Sequence, residues 1–168
     1  MTREELKQKA LEMYESAGIA LTQEEKDNIE IADFGLNDLD NIALTLITFI
    51  NTDRCCAKEM VLLPGQACPE HRHPDVNGRP GKEETFRCRK GRVYLYVEGE
   101  PCEKLSVEPL KSPYTVTHEV ILNPGEQYTL YPDTLHWFKA GEEGAVISEF
   151  STHSDDASDI FTDPKIVR

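Results

Sequence analysis

Hydrophobic side chains near the start of the chain recur at the spacing of an α-helix. They are Leu6, Ala10, Met13 and Tyr14. Thr2 and Glu5 have the spacing of a capping box, which favours a helix that begins there, and Gly18 stands where such a helix would end. A second capping box, opened by Thr22, predicts a shorter helix. Residues 1–30 are therefore predicted to form a helical N-terminal segment.

From residue 41 onward the hydrophobic pattern is that of β-strands. Residues 41–51 and 55–63 are rich in β-branched and apolar side chains, and each predicts a strand. Turn signals that contain Gly or Pro then recur about every eight to twelve residues, among them 89–91 and 139–144. They separate further short strand-like segments, which are TFRC, RVYLYVE, HEVIL, QYTLY and AVISEF.

The alternation of short strands and turns predicts a mainly β protein, folded as a sandwich or small barrel. We place the barrel at residues 41–151, within a single domain that covers residues 1–168. That length is enough to bury a sizeable core. The polar, acidic segment 152–168 is predicted to be a loop or packed tail without regular structure.

The chain is strongly acidic, with 18 Lys and Arg against 31 Asp and Glu and a net charge of −13. This charge argues against nucleic acid or an anionic membrane as a partner, and it suits a neutral or cationic small molecule. The sequence has no apolar run long enough to cross a bilayer and no signal-peptide core at its start. Five cysteines, two of them adjacent at Cys55 and Cys56, predict reduced thiols in a cytoplasmic protein.

The candidate chemistry is concentrated around His71 and His73. Two imidazoles at positions i and i+2 project from the same face of an extended strand. A carboxylate of Glu83 or Glu84, on the next strand, would meet them there, and His136 on a later strand would add a third imidazole. Three imidazoles and one carboxylate can bind a divalent first-row metal and leave positions open for substrate or water. The sequence therefore predicts a metal site.

These residues resemble the two sequence motifs of the cupin family. The first motif matches the run that starts at Gly65, passes through the H-x-H pair, and continues through Glu84 to Gly91. The second matches the run from Gly125 to His136. The resemblance implies a single cupin domain, a jelly-roll β-barrel, to which the pattern at the start of the chain adds N-terminal helices.

The cupin resemblance also selects Glu84 as the metal ligand. Glu84 stands seven residues before the motif glycine, whereas Glu83 would point to the opposite face of the strand. The chain departs from the family pattern in the longer gap between His73 and Glu84, and in having Tyr131 and Asp133 where Pro and Gly are usual. The longer gap predicts a loop at the barrel mouth, where substrate specificity could be set.

A finer resemblance, from about Leu44 to the C-terminus, is to the bacterial D-lyxose ketol-isomerases, in particular their short single-cupin branch. It is carried by LTLITFINTDRCCAKEMVLLPGQACPEHRH and by the tail SEFSTHSDDASDIFTDPKIVR. The resemblance implies aldose–ketose isomerisation of a free sugar such as D-lyxose or D-mannose through an enediol. It also implies Mn²⁺ as the metal, although Zn²⁺, Fe²⁺, Co²⁺ and Ni²⁺ suit the same ligands.

The same resemblance implies roles for residues outside the metal ligands. Lys58 and Glu149 match the positions that serve the chemistry in that family, and both would also contact the sugar, together with Asp156. Glu149 would move a proton between C2 and C1 of the sugar as a general base. Lys58 would help the metal to stabilise the charge that develops on the enediolate oxygen.

Three alternatives use the same barrel. A cupin dioxygenase or other metal-dependent oxidoreductase would keep the metal ligands but would not need a base at Glu149. A non-catalytic sugar-binding cupin would not lose metal or sugar affinity if that carboxylate were neutralised. A phosphosugar isomerase would need basic side chains near the site, which Arg72, Arg79 and Lys82 could supply.

Several details stay open at the level of the sequence. The residues do not rank D-lyxose against D-mannose or another sugar. Nothing in the pattern selects Lys82 or Arg87 for sugar binding, and Asp155 and Asp159 could bind hydroxyls or cap turns, with a turn favoured for Asp159. A homodimer is a further expectation, because the apolar run LTLITFI could form its face, although that run could equally pack within one chain.

Overall fold

The computed structural model of the protein describes residues 1–109 and 113–167. Two helices open the chain, α1 at Arg3–Ser16 and α2 at Gln23–Asp27, and both begin at the predicted capping boxes. In the first of these boxes the Thr2 hydroxyl accepts the Glu5 amide at 3.2 Å, and the Glu5 carboxylate accepts the Thr2 amide at 2.7 Å. The prediction of N-terminal helices is confirmed.

Within the described residues, nine strands form one curled sheet. They are β1 (Glu30–Ala32), β2 (Leu44–Asn51), β3 (Cys56–Leu62), β4 (Ala67–Arg72), β5 (Glu84–Val97), β6 (His118–Leu122), β7 (Gln127–Leu130), β8 (His136–Ser151) and β9 (Ile160–Phe161). Neighbouring strands pair in the order β1-β2-β3-β8-β4-β9. β5 lies off this path, because it pairs with β8 on one side and with β6 and β7 on the other. The predicted mainly β fold is confirmed.

β5 and β8 are longer than predicted. Residues 89–91 and 139–144 continue these strands rather than forming turns, so both turn predictions are wrong. Gly91 and Gly144 have positive φ angles, and a Cβ at Gly91 would lie 2.0 Å from the carbonyl oxygen of Gly144. Gly91 therefore allows the bent strands β5 and β8 to approach each other closely, with bulges in β5 nearby. A Cβ at Gly144 would instead lie 2.8 Å from the Leu62 carbonyl oxygen of β3.

The two faces of β3 separate the barrel interior from a second core under α1. Lys58 and Met60 alternate with Glu59 and Val61, so successive side chains point in opposite directions. Met60 packs in the barrel core, while Val61 packs beneath α1 in a cluster that includes Tyr14. The alternation therefore places Lys58 inside the barrel and Glu59 beneath the helix.

Glu59 is a buried carboxylate on this helix-covered face. Its two oxygens accept from the Ser148 hydroxyl at 2.9 and 3.1 Å, and the Tyr14 hydroxyl donates to its backbone oxygen at 2.8 Å. Burial raises the pKa of Glu59 above its ordinary value of 4.5, although Ser148 and the charge of Arg89 act in the opposite direction. Glu59 is therefore more easily protonated in the folded protein than in the unfolded chain.

We expect Glu59→Gln to stabilise the protein increasingly as pH rises above about 4.5. In the wild type, the stability that comes from a raised pKa is fully present below the unfolded-chain pKa and is lost as pH rises through the folded-state pKa. Gln cannot ionise, so the variant avoids this loss, and its Tm is expected to exceed that of the wild type by more at neutral pH than at pH 4. Thermal unfolding near pH 4 and near pH 8 measures this difference. The exposed Glu83→Gln is the control, and an equal Tm difference at both pH values would contradict the expectation.

The C-terminal segment is more ordered than predicted. Asp156–Ser158 form a 3₁₀ turn, and β9 pairs with β4, with Phe161 opposite His71 and Ile160 opposite Arg72. The prediction of a tail without regular structure is therefore wrong for these residues. β9 pairs along the edge of β4 that would otherwise be open, which gives the short segment backbone partners that its sequence alone does not reveal.

Neither helix in the described part of the chain has the length and apolar character needed to span a lipid bilayer.

Candidate metal centre and active site

Three buried histidines converge inside the barrel. His71 lies on β4, His73 directly follows that strand, and His136 begins β8. His71 and His136 are register partners in the sheet. One ring nitrogen from each histidine lies within 4.8 Å of the other two. Three imidazole nitrogens at this spacing can share one metal ion.

Two of these rings are oriented by backbone carbonyls. Nδ1 of His71 donates to Pro69 at 2.8 Å, and Nδ1 of His136 donates to Thr134 at 2.9 Å. A carbonyl oxygen can only accept, so Nδ1 carries a proton in each ring. Burial, together with the neighbouring imidazoles of His136 and His73, lowers the pKa of His71 well below its ordinary value, so this ring is neutral. Its Nε2 lone pair is then available to a metal.

The third ring, His73, is held between two carboxylates. Its Nδ1 lies 2.5 Å from Asp159 Oδ1, and its Nε2 lies 3.1 Å from Glu84 Oε1. Burial lowers the pKa of His73, but the carboxylates of Glu84 and Asp159 together outweigh this effect, and the pKa is raised to about 9. A metal bound at Nε2 would take the place of the proton on that nitrogen.

Glu84 presents one oxygen to the histidines and the other to a lysine. Oε1 lies 3.1 Å from Nε2 of both His73 and His136, and Oε2 lies 2.6 Å from Lys82 Nζ. His136 Nε2 is buried and has no well-aligned hydrogen bond among the described residues, which fits a metal ligand. Burial favours the neutral form of Glu84, but Lys82 and His73 outweigh it and hold its pKa well below the ordinary value. Glu83 is exposed, as expected for the opposite face.

Lys82 connects the group formed by the three histidines and Glu84 to Glu149. Its buried Nζ lies 2.6 Å from Glu84 Oε2 and 3.1 Å from Glu149 Oε1. Burial opposes the charge of Lys82, but the two carboxylates outweigh this and raise its pKa above the ordinary value, so the lysine stays charged. Gly81 makes the position possible, because a Cβ there would lie 1.9 Å from the backbone oxygen of His73.

Three further predicted site residues, Glu149, Lys58 and Asp156, line the same cavity as Lys82. Glu149 and Lys58 are register partners on β8 and β3, and both are buried. Lys58 Nζ donates to both oxygens of Asp156 at 3.0 Å and to the Ser154 hydroxyl at 2.9 Å. Glu149 Oε1 also accepts from the Ser151 hydroxyl at 3.2 Å. Glu149 therefore lies between two lysines that are each paired with carboxylates.

The polar groups share a small cavity with apolar side chains. The apolar residues that line it are Leu44, Leu46, Met60, Cys68, Phe86 and Phe138. The free volume of this cavity is about 20 Å³, which is room for a single water-sized molecule or an ion. A separate cleft of about 880 Å³ lies at the mouth, lined by the 74–81 loop and by His73, Lys82 and Asp159. These three residues also line the inner cavity, so the cleft leads to the three histidines and Glu84.

Residues 12–168 match the model of a protein family described as D-lyxose isomerase. The chain belongs to the D-lyxose isomerase family. It is 65% identical to the "D-lyxose/D-mannose isomerase" of Thermosediminibacter oceani over 167 residues, which are 98% of this chain and 92% of that protein. It is 57% identical to the "D-lyxose ketol-isomerase" of Cohnella laeviribosi, with the same coverage of both chains.

The fold of this D-lyxose isomerase family member is also found in more distant sugar isomerases. The crystal structure of Cellulomonas parahominis L-ribose isomerase superposes with a TM-score of 0.74 at 16% identity. The alignment covers 97% of this chain and 92% of that one. At this level of identity, the likeness concerns the fold.

In this D-lyxose isomerase family member, the structure brings seven of the predicted site residues into one cavity region. They are His71, His73, Glu84, His136, Lys58, Glu149 and Asp156. Two residues left open by the sequence lie outside that cavity, since Arg87 donates to Gln127 on β7 and Asp155 is exposed. Asp159 does not act as a simple turn residue, because its side chain contacts His73.

Lys82 and Asp159 of this family member were named from the sequence but not selected for the site, although both line its cavity. The signal was present, because Lys82 and Glu84 are two residues apart and lie on the same face of an extended chain. The rule that joined His71 to His73 applies here as well. The glycine-rich loop before Lys82 obscured it, since a lysine beside a loop is more often exposed than buried.

Proposed function

We propose that the protein is a metal-dependent aldose–ketose isomerase that converts D-lyxose to D-xylulose and D-mannose to D-fructose through an enediol. The observation that carries the proposal is the buried Glu149 carboxylate, linked by Lys82 to a group of three histidines and Glu84. The full-length similarity to the Thermosediminibacter oceani enzyme, named for both sugars, supports the choice of substrates.

His71, His73, His136 and Glu84 would hold the metal, and Mn²⁺ is our proposal for its identity. Two observations support this ligand set: His136 Nε2 has no well-aligned hydrogen bond among the described residues, and the ring of His71 is neutral. A divalent cation bound there would act as a Lewis acid towards the carbonyl and the adjacent hydroxyl of an open-chain sugar.

Glu149 would act as the general base in both halves of the reaction. In the first half its carboxylate would accept the proton from C2, the electron pair of that C–H bond would form the C1–C2 double bond, and the former carbonyl pair would move to O1. A proton then passes from the C2 hydroxyl to O1. In the second half Glu149 would return its proton to C1 while the electron pair on O2 forms the C2 carbonyl. A positioned base of this kind contributes roughly 10²–10⁴-fold to the rate.

Lys82, Lys58 and Asp156 would orient the base and the sugar. Lys82 donates to Glu149 Oε1 at 3.1 Å, which leaves the other carboxylate oxygen for the proton. Lys58 and Asp156 form an ion pair at 3.0 Å in the same cavity. The ammonium group of Lys58 can donate to sugar hydroxyls, and the carboxylate of Asp156 can accept from them. The enediolate oxygen would develop its charge near these cations.

The charges at the site favour a free sugar over a phosphosugar. Both lysines that line the inner cavity are already paired with carboxylates. Arg72 lies 3.6 Å from Asp133, and its side chain is about half exposed at 44%, while Arg79 lines only the outer cleft. A phosphate would therefore meet no unpaired cation among the described residues of the inner cavity, and its own charge would be repelled by the carboxylates.

The function is tested with metal-stripped protein that is resupplied with Mn²⁺ and assayed against a panel of aldoses without oxygen. We expect ketose to form from D-lyxose and D-mannose only when the metal is present. Turnover that requires oxygen would favour a cupin dioxygenase instead. Tight binding of metal and sugar with no ketose formed would favour a non-catalytic sugar-binding cupin.

A homodimer is the remaining part of this proposal. Phe49, Ile50 and Phe150 are between 43% and 52% exposed, which is unusual for large apolar side chains. Ile50, Ala57 and Phe150 are register partners across β2, β3 and β8, so they form one outward-facing row. A second copy of the chain would cover this row.

A further inference from the structure

The C-terminal segment contacts two of the three histidines directly. Phe161 is the register partner of His71 on β4, and its ring stacks on the imidazole with centroids 5.3 Å apart and planes at 28°. Asp159 Oδ1 lies 2.5 Å from Nδ1 of His73, and the Asp159 side chain is only 2% exposed. These contacts join positions 86 and 90 residues apart in the chain.

His73 is oriented differently from the other two ligands. The Nδ1 partners of His71 and His136 are backbone carbonyls two residues earlier in the same stretch of chain, so these rings are set locally. The partner of His73 is the carboxylate of Asp159, on a separate segment. A carboxylate accepts the Nδ1 proton, fixes the ring plane and leaves Nε2 directed at the metal position.

We propose that residues 159–162 set the metal affinity, with Asp159 as a positioning residue for His73 and Phe161 as a support for His71. This inference rests on the metal site of the proposed function. A histidine whose outer nitrogen loses its partner can rotate, and partners of this kind typically contribute tenfold to a hundredfold to metal affinity. The same segment would therefore hold its position more firmly when metal is bound, because coupling between two binding events is reciprocal.

The segment has anchors that do not involve the metal ligands. The Thr162 hydroxyl donates to Glu70 Oε1 at 2.6 Å, and the Thr162 amide donates to the Glu70 backbone oxygen at 3.1 Å. The Val167 amide donates to the Phe34 carbonyl at 3.1 Å. These bonds keep the chain in place when the Asp159 carboxylate is removed, so an Asp159 variant isolates the effect on His73.

The test compares Mn²⁺ affinity, measured by calorimetry on metal-stripped protein, between the wild type and two variants. We expect Asp159→Ala to bind Mn²⁺ about ten- to a hundredfold more weakly. Asp159→Asn keeps an acceptor oxygen without the charge and is expected to fall between the two. The matched control is Asp155→Ala, which removes an exposed carboxylate from the same segment and is expected to bind Mn²⁺ as the wild type does.

Two further readouts separate positioning from a general loss of stability. Loss of the buried contact with His73 is expected to lower the Tm of metal-free Asp159→Ala, so the rise in Tm caused by Mn²⁺ is compared within each variant, and that rise is expected to be smaller in Asp159→Ala than in the wild type. The visible absorption of Co²⁺-loaded protein is expected to change, because the geometry of one ligand has changed. Equal Mn²⁺ affinity in the wild type and Asp159→Ala would overturn this inference and leave the proposed function intact. A wild type that binds no Mn²⁺ would overturn both.

Discussion

Lys82→Met is expected to destabilise the metal-free protein by about 3–5 kcal/mol and to reduce isomerase turnover by at least about a hundredfold. Removing the ammonium leaves the carboxylates of Glu84 and Glu149 buried, at 1% and 3% exposure, without their shared cation. Breaking a buried ion pair from one side has this cost because an uncompensated charge remains in a medium of low polarity. The turnover falls because Glu149 loses the donor that orients it.

Thermal unfolding and the rate of ketose formation measure the two effects of Lys82→Met. The matched control is Lys90→Met on β5, the strand that follows Lys82. The Lys90 side chain is exposed, and this substitution is expected to change Tm by less than about 2 °C. The double variant Lys82→Met/Glu149→Gln is expected to recover part of the lost stability, since one of the two stranded charges is then absent. Additive stability losses in the double variant would show that Lys82 does not act on Glu149.

Glu149→Gln is expected to lower turnover at least about a hundredfold while Mn²⁺ content and folding are retained. The amide has nearly the same size as the carboxylate and can still accept from Lys82, but it cannot take a proton from carbon. The measurement is the rate of ketose formation, together with exchange of the sugar C2 deuterium into solvent. Loss of that exchange would assign the defect to the proton transfer itself.

Glu59→Gln is the matched control for Glu149→Gln, because Glu59 is equally buried on the neighbouring strand but points beneath α1. It is expected to keep full turnover. A Glu149→Gln protein within about tenfold of wild-type turnover would remove Glu149 from the chemistry and reopen the oxidoreductase and sugar-binding alternatives.

The clustering of His71, His73, His136 and Glu84 and the fold class could be predicted because their signals are local or regular. His71 and His73 share a strand face by spacing alone, and Glu84 and His136 stand at fixed distances from motif glycines. The capping boxes at Thr2 and Thr22 use contacts that span three residues, and both form in the structure. Contacts of this kind are determined by covalent geometry and need no knowledge of the tertiary fold.

The features that the sequence did not reveal depend on distant partners. In the sequence, Asp159 resembles an ordinary turn residue. Its role becomes visible only in the fold, where the pairing of β9 with β4 brings it to His73. Gly91 and Gly144 have the same composition signal as a turn, but Gly91 is needed because β8 passes so close to it, and Gly144 because Met13 of α1 and the Leu62 carbonyl of β3 lie beside it. A glycine indicates a position where a side chain does not fit. The sequence alone does not show whether the cause is a chain-reversing turn or a neighbouring strand or helix that packs closely.

The narrowness of the inner cavity has a consequence for how this enzyme would choose its substrate. A space of about 20 Å³ is too small for an intact monosaccharide, so side chains that line it would have to move for a sugar to reach Glu149 from the outer cleft. Selection would then involve induced fit, in which the contacts of a sugar with suitably placed hydroxyls offset the free-energy cost of moving those side chains. Epimers would differ more in their catalytic rates than in how readily they reach the outer cleft.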